Sequence, residues 1–512
     1  MTDLKATAAR LCGLLDTDPA AAVVAARGID LACEGGERLN RMSLRAAILV
    51  DGGHDTADMG AVAEAVVLLR ELHSTVGGAA VAYNLANGLI TSVGTPPHDD
   101  GWLDHMERTR ELRVEARLLF AAVARDESAP AVLRTQAWTN LANQLSQSWR
   151  VAEAHDARLA ALRIDPTNGV AAASAVKDLL WLDQLGGCAP TTRIEAAHLA
   201  RIARDNRARI QEFAGTRVAE HLSALAAEVD ETPARAPHAD PFMRWVEQER
   251  LTLGPTVELV EPALGHIDWL MLPGILEQEA GAPVLPPPVY AMFNLLKADF
   301  VLARDLAWRA TTQEWPRTAR YGDTLDYARY GAATSALVLA HRSALDVLDK
   351  VAVLANHYFA LGEKPKRVDF PSLWREKQKK SASAAGAPAL RPEVDAMIRG
   401  DASSLLGLVE LAADYERGWR RPQRDLRNAG THRFVVLHDE HGERSARDAP
   451  EIERYGVEAF EREVLDGLRV ARSAIQAVTF AIRQREMALR REHKGMLGTL
   501  VVPDHGWVRG EE

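Results

Sequence analysis

The sequence predicts an all-α protein, a long stack of helices followed by a separate helical bundle. Three observations carry that expectation. Leu, Ala, Arg and Glu abound while aromatic residues make up only 6% of the 512-residue chain, a composition that favours helix. From residue 1 to about 230 nearly every segment spaces Leu, Ala and Val at helical intervals, broken by short turns. The tetrapeptide "NLAN" occurs at 84–87 and again at 140–143, each time opening a helical stretch, as a repeat of helical pairs would require.

Length and charge narrow the function classes. A chain of 512 residues is too long for one compact core, so two or three domains are expected. The 61 Lys and Arg against 71 Asp and Glu leave a net charge of −10, so the global field does not attract a polyanion. Any nucleic-acid contact must come from a local basic patch. Cys12, Cys33 and Cys188 lie far apart, with no CxxC pair and an odd total. They argue against a disulfide framework or a zinc ribbon and fit a reducing cytoplasm. The opening "MTDLKATAARLCGLLDTD" meets acidic residues too early for a signal peptide. No apolar run approaches the ~18 residues needed to span a bilayer. A soluble, cytoplasmic protein with no membrane partner is expected.

Taken in order, the first region spans 1–230. Its second "NLAN" copy fits the helix-turn-helix repeat of about 34 residues. Trp138, Leu141 and Ala142 match the W-x-x-L-G/A start of a tetratricopeptide (TPR) unit, and Ala154, Ala161 and Pro166 fall where its second helix and closing proline belong. Arg158 stands where an aromatic is expected. The first copy is looser: "ARLLF" (116–120) supplies a second helix, but "GTPPHDDGW" (94–102) intervenes. The region is read as TPR-like helical pairs whose concave face receives a peptide or protein. A plain helical bundle is the alternative.

"DETPARAPHADP" (230–241) reads as a linker. A helical connecting region, 241–315, holds Trp245, Trp269, Trp308 and Trp315, read as anchors joining two domains. A C-terminal domain, 316–495, opens with a long helix from about 321. An exposed loop follows at 376–390, then the helix "SSLLGLVELAADYERGW". Next come "RDLRNAGTHRF" (424–434), a strand-like run "RFVVLHDE" and a last helix of roughly 456–492. A tail, 496–512, has no evident partner.

"RDLRNAGTHRF" carries the candidate chemistry. Arg-x-x-x-x-His alone says little, because Arg150/His155, Arg193/His198 and Arg433/His438 share the spacing. Only Arg427/His432 has an Asn directly after the Arg. Only that pair also sits at a helix end, behind Pro422 and among Arg417, Arg420, Arg421 and Arg424. At about 100° per residue, Asn428 and His432 lie within some 40° on one helical face. RNA carries its own nucleophile, the ribose 2′-OH, so cleavage needs a base, a cation for the phosphorane and a group to hold the base. His suits proton transfer near neutrality, Arg matches phosphate oxygens, and Asn bonds to ribose or imidazole. The bland reading is that His432 caps a helix C-terminus, Arg427 pairs with Asp425 or a neighbouring helix, and the arginines form a solvated face.

The surrounding residues resemble the HEPN superfamily (higher eukaryotes and prokaryotes nucleotide-binding domains), helical bundles that include many metal-independent ribonucleases. The resemblance lies in "LDYARYGAATSALVLAHRSALDVLDKVAVLANHYFALG", "VDFPSLW" (368–374) and "LRNAGTHRFVVLHD", and extends upstream through "NLLKADFVLARDLAW". It looks like a prokaryotic branch with a TPR-like N-terminal extension. The resemblance implies Arg427 and His432 as a catalytic pair with Asn428 orienting the His or the ribose, no cofactor and no metal. It also implies a site shared across a homodimer, and products ending in a 2′,3′-cyclic phosphate and a 5′-hydroxyl. Asp346 and Asp349 are candidate supports for Arg427. The substrate would be RNA, either tRNA or mRNA, and the architecture suits a toxin or antiphage effector with a protein trigger or antitoxin at its TPR-like region. The rival reading is a non-catalytic scaffold or RNA-binding protein.

Two further clusters, "DGGHDTAD" (51–58) and "HDEH" (438–441), look like metal ligands. Gly52 and Gly53 suggest a polar inter-helix loop instead, and the second cluster reads as a polar turn.

Overall fold

In the computed structural model of the protein, the described residues are 2–99, 101–185, 189–227, 229, 239–254, 268, 270–276, 285–377, 388–439 and 449–495. Most of the 230–241 linker, Trp269, Cys188, the middle of the 376–390 loop and the 496–512 tail lie outside them. Among the described residues the fold is all-α, with one small sheet. No helix there is long and apolar enough to cross a membrane.

Thirteen consecutive helices run from Thr2–Thr17 to Thr216–Ala227 among the described residues, most of them packed on helices one or two places away in sequence, while Trp102–Arg108 buries Leu103 and Met106 in the core of the C-terminal bundle. Such nearest-neighbour packing defines a stack, with small residues such as Ala46, Ala65, Ala86 and Ala142 at the fully buried seams. The two "NLAN" copies lie within the helices Ala79–Val93 and Ala131–Gln147 rather than at their starts. They also meet: the Asn140 side chain donates to Asn87 Oδ1 at 3.0 Å. "DGGHDTAD" departs from its expected loop. Gly52 and Gly53 lie inside the helix Gly35–Thr56, where a Cβ on either would meet a valine methyl at 2.8 Å, so close helix packing explains the glycines. Asp58 caps the next helix by accepting from the Ala61 N–H at 3.0 Å.

The C-terminal half is a bundle built on the helices Pro288–Thr312, Ala332–Tyr358, Leu405–Arg417, Arg421–His432 and Val457–Glu492. Phe293, Phe300, Leu345, Leu348, Phe460 and Ile475 share its core. Two expected boundaries move. The helix Pro288–Thr312 lies along Ala332–Tyr358 and belongs to the bundle rather than to a connecting region, because its Phe and Leu stripe faces that core. The helix expected from 321 starts at Ala332, since Gly331 sits at φ +141° and the residues before it form an irregular segment that is extended only around Ala328–Arg329. Trp245 and Trp308 meet in a cluster with Phe242 at centroid distances of 5.3–6.2 Å, Phe242 stacked on Trp245 and Trp308 tilted against both.

The segment before Gly331 contributes β1 (Ala328–Arg329), which pairs antiparallel with β2 (Phe434–His438). β3 (Ile452–Gly456) pairs parallel with β2, Val436 opposite Arg454. The sheet therefore clamps the chain on both sides of the exit from Arg421–His432.

Candidate functional site

The helix Arg421–His432 starts with Pro422 in its first turn, where the missing N–H costs nothing, and buries Gln423, Leu426 and Ala429. Arg433 turns extended (φ −132°, ψ −171°) and feeds β2. Relative to Leu426, at about 100° per residue, Arg427 leaves on one flank and His432 on the other, about 140° from it, with Asn428 between. His432 and Thr431 are exposed; Arg427 and Asn428 are half-buried.

Arg427 is fixed by two carboxylates of the helix Ala332–Tyr358. Its Nε donates to Asp346 Oδ1 at 2.8 Å and its Nη2 to Asp349 Oδ2 at 2.8 Å. Asp349 in turn accepts from the Phe370 N–H at 2.9 Å, tying the "VDFPSLW" segment to the same point. Burial works against the Arg427 charge, but Asp346 and Asp349 outweigh it and raise its pKa. Among the described residues no hydrogen bond joins Arg427, Asn428 and His432 to one another, so one chain displays the three groups without converging them.

The four flanking arginines divide. Arg421 is exposed, 3.6 Å from Asp425, and Arg424 is half-buried on the open side of the helix. Arg417 turns away to Glu111 at 2.7 Å. Arg420 is a correction to the expected RNA-binding set. It is 5% exposed, lies 3.7 Å over the Trp419 ring and pairs with Glu153 at 3.2 Å, so its charge is already matched inside the fold rather than displayed beside the motif. The histidines of two decoy pairs are likewise structural. Arg150 and His155 are buried with acidic partners, and His438 is buried with Nδ1 3.0 Å from the Asp326 carbonyl. In "HDEH", Asp439 pairs with Arg329 at 2.6 Å, while Glu440 and His441 lie outside the described residues.

The sequence reading missed a buried ion network between the two halves. Arg113 bonds to both oxygens of Glu410 at 2.8 and 2.9 Å, and Arg117 chelates Asp414 at 2.9–3.1 Å. Arg150 reaches Asp414 as well, and all five side chains are buried. The signal was present: Arg113/Arg117 and Glu410/Asp414 are both i,i+4 pairs, each placing like charges on one helical face. Burial would raise the Glu410 pKa, but Arg113 and Arg117 hold it at about 2. The network sits on Leu405–Arg417, the helix directly before the motif.

Beside the motif lies an open cavity of about 350 Å³, lined by Tyr321, Tyr330, Thr334, Ser335, Arg342 and Gly430 among others. Gly430 in a helix costs about 1 kcal/mol relative to Ala. A Cβ there would meet only Val338 Cγ1, at an ordinary 3.6 Å, so core packing does not demand the glycine.

The C-terminal bundle thus presents Arg427, Asn428 and His432 near the end of one helix, with Arg427 held by two acids of a long neighbour. The match is direct: the model of the LA2681-like HEPN family covers residues 282–485, and that part of the chain is a HEPN domain. Its start at 282 takes in the helix Pro288–Thr312, as the core does. No curated protein and no solved structure matches the chain.

Proposed function

We propose that the protein is a metal-independent endoribonuclease whose HEPN domain cuts RNA with Arg427, Asn428 and His432. The observation that carries this reading is the motif helix itself. It has a charged Arg427 positioned by Asp346 and Asp349, and an exposed His432 one turn beyond Asn428. In the reaction the His432 imidazole takes the proton of a ribose 2′-OH, and the freed oxygen attacks the adjacent phosphorus. Arg427 stabilises the charge on the non-bridging oxygens as the 5′-oxygen leaves, and that oxygen takes the proton back from the His432 imidazolium. The products are a 2′,3′-cyclic phosphate and a 5′-hydroxyl. Because Arg427 and His432 leave opposite flanks of the helix, the site is completed by a second copy, whose motif helix faces the first across a two-fold axis. Arg421 and Arg424 supply the outer phosphate contacts. The N-terminal helical stack, joined to the domain through buried ions, receives the protein trigger or antitoxin. The role is that of a toxin or antiphage effector acting on tRNA or mRNA.

One observation favours a second reading, a non-catalytic scaffold or RNA-binding protein. Asp346 and Asp349 on Arg427, with Arg342 3.9 Å from Asp346, leave the cluster close to neutral, so it offers a phosphate little net positive charge unless a carboxylate is displaced. Incubating the full chain with total RNA or tRNA in EDTA separates the two. The ribonuclease reading expects cleavage by the wild type, lost in Arg427→Ala and in His432→Ala. A wild type that leaves RNA intact overturns it, and a strict requirement for Mg²⁺ or Mn²⁺ overturns the metal-independent mechanism.

A further inference from the structure

The cavity beside Gly430 has features that neither the bundle core nor the three motif residues account for. Its floor is the motif helix at Gly430 together with Val435 and Val436 of the adjoining chain, and its wall is the first three turns of Ala332–Tyr358. Its rim is Tyr330, a flat ring already oriented: it stacks on Tyr321 at 6.3 Å with planes 21° apart, and its hydroxyl lies 3.1 Å from Thr324 Oγ1. The segment that presents these rings holds Leu325 and Tyr327 at φ +58° and +60°, a left-handed conformation unfavourable for both. Both are exposed, so their burial does not compensate. The hydroxyls of Thr334 and Ser335 offer hydrogen bonds within the cavity. Arg342 also lines it, and its Nε lies 3.9 Å from the same Asp346 carboxylate that holds Arg427. Cavity and motif therefore meet at one side chain.

The occupant must be flat enough to stack on a tyrosine and polar at its edge, with a negative charge toward Arg342 and Arg427. An unpaired nucleobase with its phosphate has all three properties, and the volume of about 350 Å³ suits a small planar group. A base stacked within a duplex cannot enter. We propose that this cavity is a base-binding subsite that takes one unpaired nucleobase of single-stranded RNA beside the phosphate at Arg427. The proposal rests on the ribonuclease reading for that phosphate. Gly430 is then explained: the motif helix keeps a residue without a side chain so that the base has room.

The test uses the full chain and a single-stranded oligonucleotide with 2′-O-methyl sugars, which carries no attacking hydroxyl, in two forms: one with 2-aminopurine at a central position and one abasic there. The wild type should quench the 2-aminopurine and bind that oligonucleotide about tenfold to a hundredfold more tightly than the abasic one. Tyr330→Ala and Gly430→Leu should abolish the difference, while Tyr330→Phe keeps it. Equal affinity of the wild type for the two oligonucleotides overturns the subsite, and this arm needs no variant to fold. If Tyr330→Ala and Gly430→Leu halve the mass in light scattering but leave the base-dependent affinity intact, the cavity is a contact between copies and the proposal is again overturned. The two readings fail separately. Loss of base-dependent binding in the variants, with a wild type that never cuts all-ribose RNA, keeps the subsite and sinks the ribonuclease. Cleavage at equal rates on base-containing and abasic ribose substrates does the reverse.

Discussion

Two sets of arginines, one buried and one at the motif, meet acids in this molecule with opposite consequences. Arg113, Arg117 and Arg150 are sealed between the helical stack and the HEPN domain, their carboxylates equally buried. Arg427 meets two carboxylates too, but its side chain and theirs retain 25–37% exposure. In the buried set the charges have no alternative partner, and losing one strands the others in a dry interior. At the motif, water and a phosphate can compete for the same guanidinium. Pairing alone does not separate a structural arginine from a chemical one; access does.

The comparison is broken or sharpened most directly by exchanging the readouts. Arg427→Ala and His432→Ala should each lower RNA cleavage by about two to four orders of magnitude, the range of a lost proton-transfer or charge-stabilising group. Their thermal unfolding should stay close to wild type, because half-exposed ion pairs contribute at most about 1 kcal/mol. Arg117→Ala should do the opposite. It leaves Asp414 and Glu410 short of a partner in the interior, at a cost of about 3–5 kcal/mol in denaturant unfolding. If Arg117→Ala unfolds at the wild-type denaturant concentration, the distinction between the two sets fails.

A buried histidine, His341, sharpens the point from the other side. It lies on the helix that carries Asp346, packed on the Phe460 ring, and burial lowers its pKa from 6.5 to about 4. Where arginine keeps its charge by pairing, this histidine sheds it. The folded state binds its proton less readily than the unfolded chain, so its contribution is complete above pH 6.5 and falls as the pH drops toward 4. The loss reaches about 3 kcal/mol. His341→Leu should flatten the dependence of unfolding free energy on pH within that window, and an unchanged slope would show that other groups carry it.

What the sequence made legible follows from the range of the forces involved. Helical periodicity is local, so the all-α class and the last helix, expected at roughly 456–492 and found at Val457–Glu492, could be read directly. The motif helix was legible for the same reason, whereas the pairing of Arg427 with Asp346 and Asp349 joins residues about eighty apart in the chain, which periodicity does not fix. The fate of Arg420 was not. Nothing nearby in the chain announces that Trp419 and Glu153 enclose it, because Glu153 is 267 residues away. The start of Ala332–Tyr358 was missed because β1 forms only by pairing with β2, about a hundred residues downstream. Gly52 and Gly53 looked like a loop because a glycine chosen for close packing and one chosen for a turn are the same letter.

Gly430 gives the smallest effect and the finest test of that ambiguity. Three explanations compete for a glycine in a helix: a left-handed turn, a close contact, or space left open for something else. Gly430 is helical, so the first does not apply, and a Cβ there would meet Val338 only at 3.6 Å, so the second does not either. Gly430→Ala should therefore stabilise the fold by up to about 1 kcal/mol, the propensity difference between the two residues. A glycine kept for packing would instead lose stability on the same change. A gain in unfolding temperature together with slower RNA cleavage would mark a position where the chain gives up stability to keep room beside the motif, the reverse of the trade made at Arg117.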